Sequence, residues 1–291
     1  RVFAAFARFQ ALAPRLMLPS LYGVRWLVWP WDLWRSRRAA HEIRSLLERL
    51  IRARHDALQR GEGAAPTDIL SAFMAARDPQ TGEPFSLGEL VDQVAMLFLA
   101  GHETSASALT WACHLLANDA KVQERVHTEV METLGQRTPE HGDIKALTLT
   151  WNVFRETLRL FPPVGFFSRE AAQDCTMRDK NVPQGASVVV SPWLIHRHRE
   201  IWRDPDAFDP DRYANDDSKE SLNQGYLPFC MGPRGFMGAT FALQEAALIL
   251  ASMVRRFKLE PVPGEVPKPV GRLTIRPSGG LRLKLTPRGA P

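Results

Sequence analysis

The chain has 291 residues, 45% of them apolar and 24% charged, with a formal net charge of +5. This balance excludes a disordered or low-complexity chain, and no apolar run approaches the roughly 20 residues that cross a bilayer as a helix. Cys113, Cys175 and Cys230 stand at unrelated spacings, which excludes a disulfide framework or a zinc site and points to a reducing, cytoplasmic setting. No linker or internal repeat divides the chain, so residues 1–291 are expected to form one mainly helical domain.

The opening "RVFAAFARFQALA" predicts a helix over residues 1–13 that ends before Pro14. It is already helical at Arg1 and has no initiator Met, so further residues are expected upstream. A tryptophan-rich connector, "LYGVRWLVWPWDLW", follows. Trp26, Trp29, Trp31 and Trp34 suit three uses: lining an entrance, docking on a membrane surface, or plain packing. "RSRRAAHEIRSLLERLIRARHDALQR" (35–60) predicts a long helix with Ala40, Ile43, Leu47 and Leu50 at helical spacing and arginines around the rest. Such a basic face is either a solvated surface or a docking patch for an acidic protein. Nucleic acid is excluded, because no aromatic-interleaved basic motif accompanies it. "PTDILSAFMAARDPQTG" predicts a short helix capped by Thr67 or Asp68 and stopped at the Asp78–Pro79 turn.

Ser86 and Glu89 have capping-box spacing and launch a very long apolar helix through "VDQVAMLFLAGHETSASALTWACHLLAND", expected to run through the core. Within "AGHETS", Gly101 costs about 1 kcal/mol relative to Ala, and the Thr104 hydroxyl can bond back onto the preceding turn. The segment reads in two ways. Either the helix opens locally into a polar notch for a diatomic ligand or water chain, with Glu103 passing protons, or a tolerated glycine sits beside a surface-facing His102–Glu103 pair. Two more helices are predicted near 119–134 and 150–160. In the second, "WNVFRETLRLFPP" puts Glu156 and Arg159 three apart on one face, and Arg212 in "FDPDRY" is available as a third member.

After Pro162 the pattern changes to short extended pieces. "ASVVVSPWLI" and "LRLKL" read as strands, with turns at "VPQG" and "PSGG". "FCMGPRGFMG" (229–238) spaces Gly232, Gly235 and Gly238 three apart, directly before a last helix, "GATFALQEAALILASMVRRF". A nucleotide-binding loop is excluded by the lack of a Lys-Ser/Thr ending and of a βαβ unit.

Taken in order, "AGHET", "ETLR", "FDPDRY" and "FCMGPRGFMG" resemble the motifs of the cytochrome P-450 family of haem-thiolate monooxygenases. They are similar to its oxygen-activating helix, its Glu-x-x-Arg, its Pro-Glu-Arg-Phe meander and its Phe-x-x-Gly-x-Arg-x-Cys-x-Gly haem loop. The intervening "PPVGFFSREA" and "HRHREIWRDPDAFDPDRY" also resemble bacterial members, and the likeness runs from "PTDIL" to "GGLRLKLTPR". It implies a mainly α fold with a small β part, incomplete at its N-terminal side, that binds haem. Such a protein takes electrons from a partner, here an acidic, ferredoxin-like one, and inserts one atom of O2 into a small apolar substrate.

By the resemblance, Thr104 and Glu103 would be the alcohol and acid of a proton relay, with Ala100 and Gly101 close to the substrate. Arg169 and Arg234 would pair with haem propionates. Phe229 would pack near the axial ligand, in a loop shaped by Gly232 and Gly238. Glu156, Arg159 and Arg212 would lock the region beside the haem.

One position breaks the pattern. Counting from Phe229, the family's axial cysteine falls at residue 236, which is Phe236, a side chain that can neither coordinate iron nor push electron density toward O–O cleavage. Cys230 lies too early in the loop and is expected to be a packed thiol, and Met231 and Met237 are out of place. No residue is therefore assigned to a metal. The expectation is a monooxygenase scaffold impaired at residue 236. The alternatives are a non-catalytic ligand-binding or partner-activating protein, and a haem binder with another axial ligand and weak peroxide chemistry.

Overall fold

The computed structural model describes residues 2–21, 23–61, 68–214 and 219–289. The chain divides into two compact units, residues 1–102 and 103–291.

The first unit is helical. Helix α1 (Val2–Leu21) continues through Pro14 and Pro19 instead of ending before Pro14. A proline inside a helix removes one N–H and crowds a carbonyl, at about 3 kcal/mol. Burial of Phe6 and Leu12, worth about 1.5–3 kcal/mol each, offsets much of the cost of the two prolines. Helix α2 (Pro30–Gln59) starts at Pro30, earlier than expected, because a proline is well placed in a first helical turn. Its buried stripe is Ala39, Ile43, Leu47 and Ile51, whereas Leu50 is 64% exposed and Ala40 is also exposed. The expected stripe is right in its middle and shifted by one residue at each end. Helix α3 (Ile69–Ala75) is capped by Asp68, whose Oδ1 accepts from Ser71 N at 2.8 Å; Thr67 lies outside the described residues. Ala5, Phe6, Ile43, Leu47, Ile51, Leu90 and Val91 form this unit's core.

Helix α4 (Leu87–Asn118) begins with the reciprocal capping box. Ser86 N donates to Glu89 Oε2 at 2.8 Å, and Glu89 N to Ser86 Oγ at 3.3 Å. The helix is unbroken through Gly101 and Thr104, so no local opening forms there. Met96, Gly101 and His102 are exposed, while Ala108, Trp111, Ala112 and Leu116 are buried. Its start, at Leu90 and Val91, lies in the first unit's core and its second half in another, so the helix is core towards both ends rather than along its whole length.

In the second unit follow α5 (Ala120–Leu134), α6 (Thr148–Leu160), the single turn α7 (Pro192–Ile195), α8 (Lys219–Gly225) and α9 (Ala239–Arg256). Val126, Val130, Val153, Phe154, Leu250 and Val254 close the core against the end of α4. "PWLI" turns helical rather than extending a strand: Pro192 sits in the first turn and Ser191 Oγ accepts from Leu194 N. The strands described make antiparallel pairs. β1 (Phe167–Glu170) joins β4 (Ser187–Val190), β2 (Cys175–Met177) joins β3 (Lys180–Val182), β5 (Phe257–Pro261) joins β8 (Leu283–Pro287), and β6 (Pro269–Gly271) joins β7 (Ile275–Pro277). The buried carboxamide of Gln123 on α5 stitches distant segments. Its Nε2 donates to the carbonyls of Leu116 and Leu259 at 2.8 and 2.9 Å, and its Oε1 accepts from Leu259 N at 2.8 Å.

Candidate active site

Helix α6 carries a buried charge cluster near its end. Glu156 and Arg159 are both fully buried and form a two-pronged ion pair, Arg159 Nε to Oε2 and Nη2 to Oε1, each at 2.8 Å. Removing two charges from water is costly unless every lone pair and N–H finds a partner. Here they do. Arg212 Nε and Asp209 N donate to Glu156 Oε1 at 3.2 and 3.1 Å, and the Tyr213 hydroxyl donates to Oε2 at 3.1 Å. Arg159 also donates to the carbonyls of His196, Pro205 and Ala207 at 2.8, 2.6 and 2.9 Å. Arg212 donates to those of Arg203 and Asp204 at 2.7 and 3.3 Å. The cluster thereby sets the course of a segment with little regular structure of its own.

His196 extends the cluster. It is fully buried, with Nδ1 3.0 Å from the Arg159 carbonyl and Nε2 2.8 Å from Leu227 N. A carbonyl on one side and an amide N–H on the other require a neutral ring protonated at Nδ1. Burial, reinforced by the charges of Arg159 and Arg197, lowers its pKa to about 4. Tyr226 stacks on the ring at 5.7 Å, and Trp202 lies beneath the guanidiniums of Arg159 and Arg212 at 5.2 and 6.0 Å. Sequence reasoning did not single out His196, Trp202, Tyr213 or Tyr226. A signal was present in "HRHREIWRDPDAFDPDRY", but no spacing rule converts that string into contacts.

Leu227 leads into the glycine loop. Phe236 N donates to the Phe229 carbonyl at 3.0 Å, closing residues 229–236 on themselves. Gly232 has φ +73° and Cys230 φ +62°. Glycine adopts this left-handed geometry freely, whereas for cysteine it is a strained conformation. The rings of Phe229 and Phe236 are stacked, 6.3 Å between centroids and 9° between planes. Phe236 is 39% exposed. A Cβ added at Gly238, which caps α9, would come within 2.8 Å of its ring. Arg234 ends a short 3₁₀ turn, Gly232–Arg234, and is exposed.

Glu103 Oε1 accepts from Thr274 Oγ1 at 3.0 Å and lies 3.5 Å from Arg276 Nη1. Thr104 and Ala100 are half-buried, and an added Cβ at Gly101 would meet nothing within 4 Å. Arg169, on β1, is exposed, donates to the Ser168 carbonyl and bends over the Phe167 ring at 4.8 Å. Thus Glu156, Arg159 and Arg212 come together, Phe229, Phe236 and Gly238 come together, and His196 joins the two sets through Leu227. Among the described residues, no hydrogen bond or ion pair ties Glu103, Arg169 or Arg234 to them.

Residues 6–285 match the cytochrome P-450 family. The chain is 38% identical over 250 residues to cyclooctatin synthase of Streptomyces melanosporofaciens, covering 86% of this chain and 53% of that protein. It is 37% identical over 230 residues to cyclooctat-9-en-7-ol 5-monooxygenase of the same organism, covering 79% and 49%. It overlays on retinoic acid-bound cyanobacterial CYP120A1 with a TM-score of 0.84 and 29% identity, over 99% of this chain and 63% of that one. With its helices, its Glu156–Arg159–Arg212 cluster and its glycine loop, the chain belongs to the cytochrome P-450 family, whose members bind haem. It spans about half the length of the curated relatives it matches.

In haem-thiolate proteins of this kind the iron takes a cysteine sulfur, and the position at which the motif count from Phe229 expects it holds Phe236. A phenyl ring has no lone pair to donate. Cys230 lies at the loop's entry, where its N–H bonds the Leu227 carbonyl at 3.3 Å, and no cluster of three or more metal-ligating side chains occurs among the described residues. The cations of Arg169 and Arg234 suit a haem's carboxylates. The donor set does not fit its iron.

Proposed function

We propose that this chain is part of a monooxygenase scaffold for a small, apolar, ring-containing substrate, and that with phenylalanine at 236 it does not activate oxygen. The observation that carries the reading is Phe236 itself, an apolar ring stacked on Phe229 where the family has its thiolate. The substrate class is supported by a relative named for cyclooctat-9-en-7-ol and by a structural neighbour bound to retinoic acid. Electrons would come from an acidic, ferredoxin-like protein, and the setting would be cytoplasmic.

Within this reading Glu156, Arg159 and Arg212 position the glycine loop through His196 and Leu227. Arg169 and Arg234 are the proposed carboxylate partners, and Ala100 and Gly101 the proposed substrate contacts. Thr104 and Glu103 are the proposed proton-carrying pair. Thr274 and Arg276 both contact Glu103 through Oε1, so Oε2 would be the oxygen that takes up the proton.

The test compares the full-length protein with its Phe236→Cys variant, by haem content and by the absorption of the reduced carbon monoxide complex. The cysteine variant is expected to show the thiolate-type band, and the phenylalanine form to lack it. A thiolate-type band from the phenylalanine form overturns the proposal. Folded, colourless protein in both forms favours the ligand-binding alternative.

A further inference from the structure

A groove of about 540 Å³ opens between α1 and α2, lined by Arg8, Arg15, Arg35, Arg38, Trp34 and Glu42 among others. Arg8 is engaged by Glu42, Arg15 lies 3.5 Å from Asp32, and Arg38 sits over the Trp34 ring at 5.5 Å. Arg35 has no carboxylate in ion-pair reach among the described residues. Four guanidiniums facing two carboxylates leave a net positive groove, a poor arrangement for folding and a good one for collecting anionic groups.

The turn beside the groove is apolar and, among the described residues, uncovered. Trp26, Trp29, Trp31 and Trp34 are 80%, 75%, 62% and 48% exposed, and Leu27 is 51% exposed. Trp31 and Trp34 stack on each other at 4.9 Å instead of entering the core. Tryptophan is usually covered in a folded protein, and an exposed cluster of this kind marks an interaction surface. Trp34 belongs to both features, so the apolar turn and the basic groove adjoin.

We propose that this end of the α1–α2 pair docks on an anionic lipid surface. Trp26, Trp29 and Trp31 enter the headgroup layer, where indole rings settle, while Arg15, Arg35 and Arg38 meet the lipid phosphates. Charge alone would equally suit an acidic protein. The projecting indoles decide for lipid, because lasting peripheral attachment needs an apolar and a basic signal together, and both lie in one short segment. No helix described is long and apolar enough to cross a membrane, and the contact proposed at this turn is a peripheral one. The proposal does not depend on residue 236, and its failure would leave the haem question untouched.

The test is co-sedimentation of the full-length protein with phosphatidylcholine vesicles, with and without phosphatidylglycerol, while following tryptophan emission. Binding with a blue shift is expected for the phosphatidylglycerol vesicles, weakening as salt rises. Arg35→Gln with Arg38→Gln should lower partitioning about 25-fold, roughly fivefold per charge. Trp29→Ser with Trp31→Ser should lower partitioning and shrink the shift to what Trp26 contributes, and leave the melting temperature unchanged. Absence of binding to phosphatidylglycerol vesicles, or binding indifferent to all four substitutions, overturns the proposal. So does capture by polyglutamate in preference to vesicles, which would assign the face to an acidic protein.

Discussion

Phe236 is tied to Phe229 twice, by parallel rings 6.3 Å apart and by a 3.0 Å bond from its own N–H to the Phe229 carbonyl. The backbone bond is available to any residue at 236, whereas the ring contact belongs to phenylalanine. Gly238 separates the two effects, since an added Cβ would press on the Phe236 ring at 2.8 Å. Because that ring is partly exposed and can swing outward, Gly238→Ala is expected to cost less than about 1 kcal/mol. The cost should vanish in a Phe236→Ala background. A double-mutant cycle by urea unfolding measures this coupling; equal costs in both backgrounds would contradict the packing described.

Glu156 compensates two buried guanidiniums at once. Glu156→Ala should lower stability by roughly 3–5 kcal/mol, because Arg159 and Arg212 would keep their charge without a counter-ion. Arg159→Lys should recover little, since an ammonium cannot reproduce a fork that reaches both carboxylate oxygens and three carbonyls. Chemical denaturation checks both; near-wild-type stability in either variant would show that the cluster is not needed for folding.

His196 makes stability sensitive to acid. Its folded pKa is about 4 against an ordinary 6.5, so between these values the unfolded chain holds more protons. Stability contributed by neutral His196 is therefore complete above about pH 6.5 and declines as the pH falls toward 4, by a few kcal/mol in all. His196→Gln keeps a donor and an acceptor without titrating. Its unfolding free energy should change less between pH 7 and pH 4.5 than that of the parent protein. Identical slopes would exclude His196 as the source.

Trp111 anchors α4 in the second unit. Its ring stacks on Phe161 at 3.9 Å, and its Nε1 donates to the Ile275 carbonyl at 3.2 Å, an acceptor shared with Ser107 Oγ at 2.6 Å. Trp111→Phe should cost about 1 kcal/mol through the lost hydrogen bond, and Trp111→Ala about 3–5 kcal/mol. Thermal unfolding of the two variants tests the order.

Helix period and caps carried most of the fold in the sequence. The Ser86–Glu89 box and the Asp68 cap involve neighbouring residues, so their bonds follow from local spacing. Pro14 misled because a local penalty says nothing of Phe6 and Leu12, whose burial depends on another helix. The same limit applies at the site. Glu156 and Arg159 are three apart and face the same way on any helix, whereas the partners of His196 are a carbonyl at residue 159 and an amide at residue 227. Contacts between irregular segments leave no periodic trace. Phe236 was visible only by counting along a motif.

Gln123 holds the β5–β8 ribbon through a bond in each direction to Leu259, a side chain standing in for a missing neighbouring strand. Deamidation there would exchange a donor for an acceptor, turning the Leu116 and Leu259 carbonyls from partners into repelling oxygens. The carboxy-terminal ribbon would then be the first part to peel away, and ageing of the protein would register as protease cuts at that end long before the helices melted.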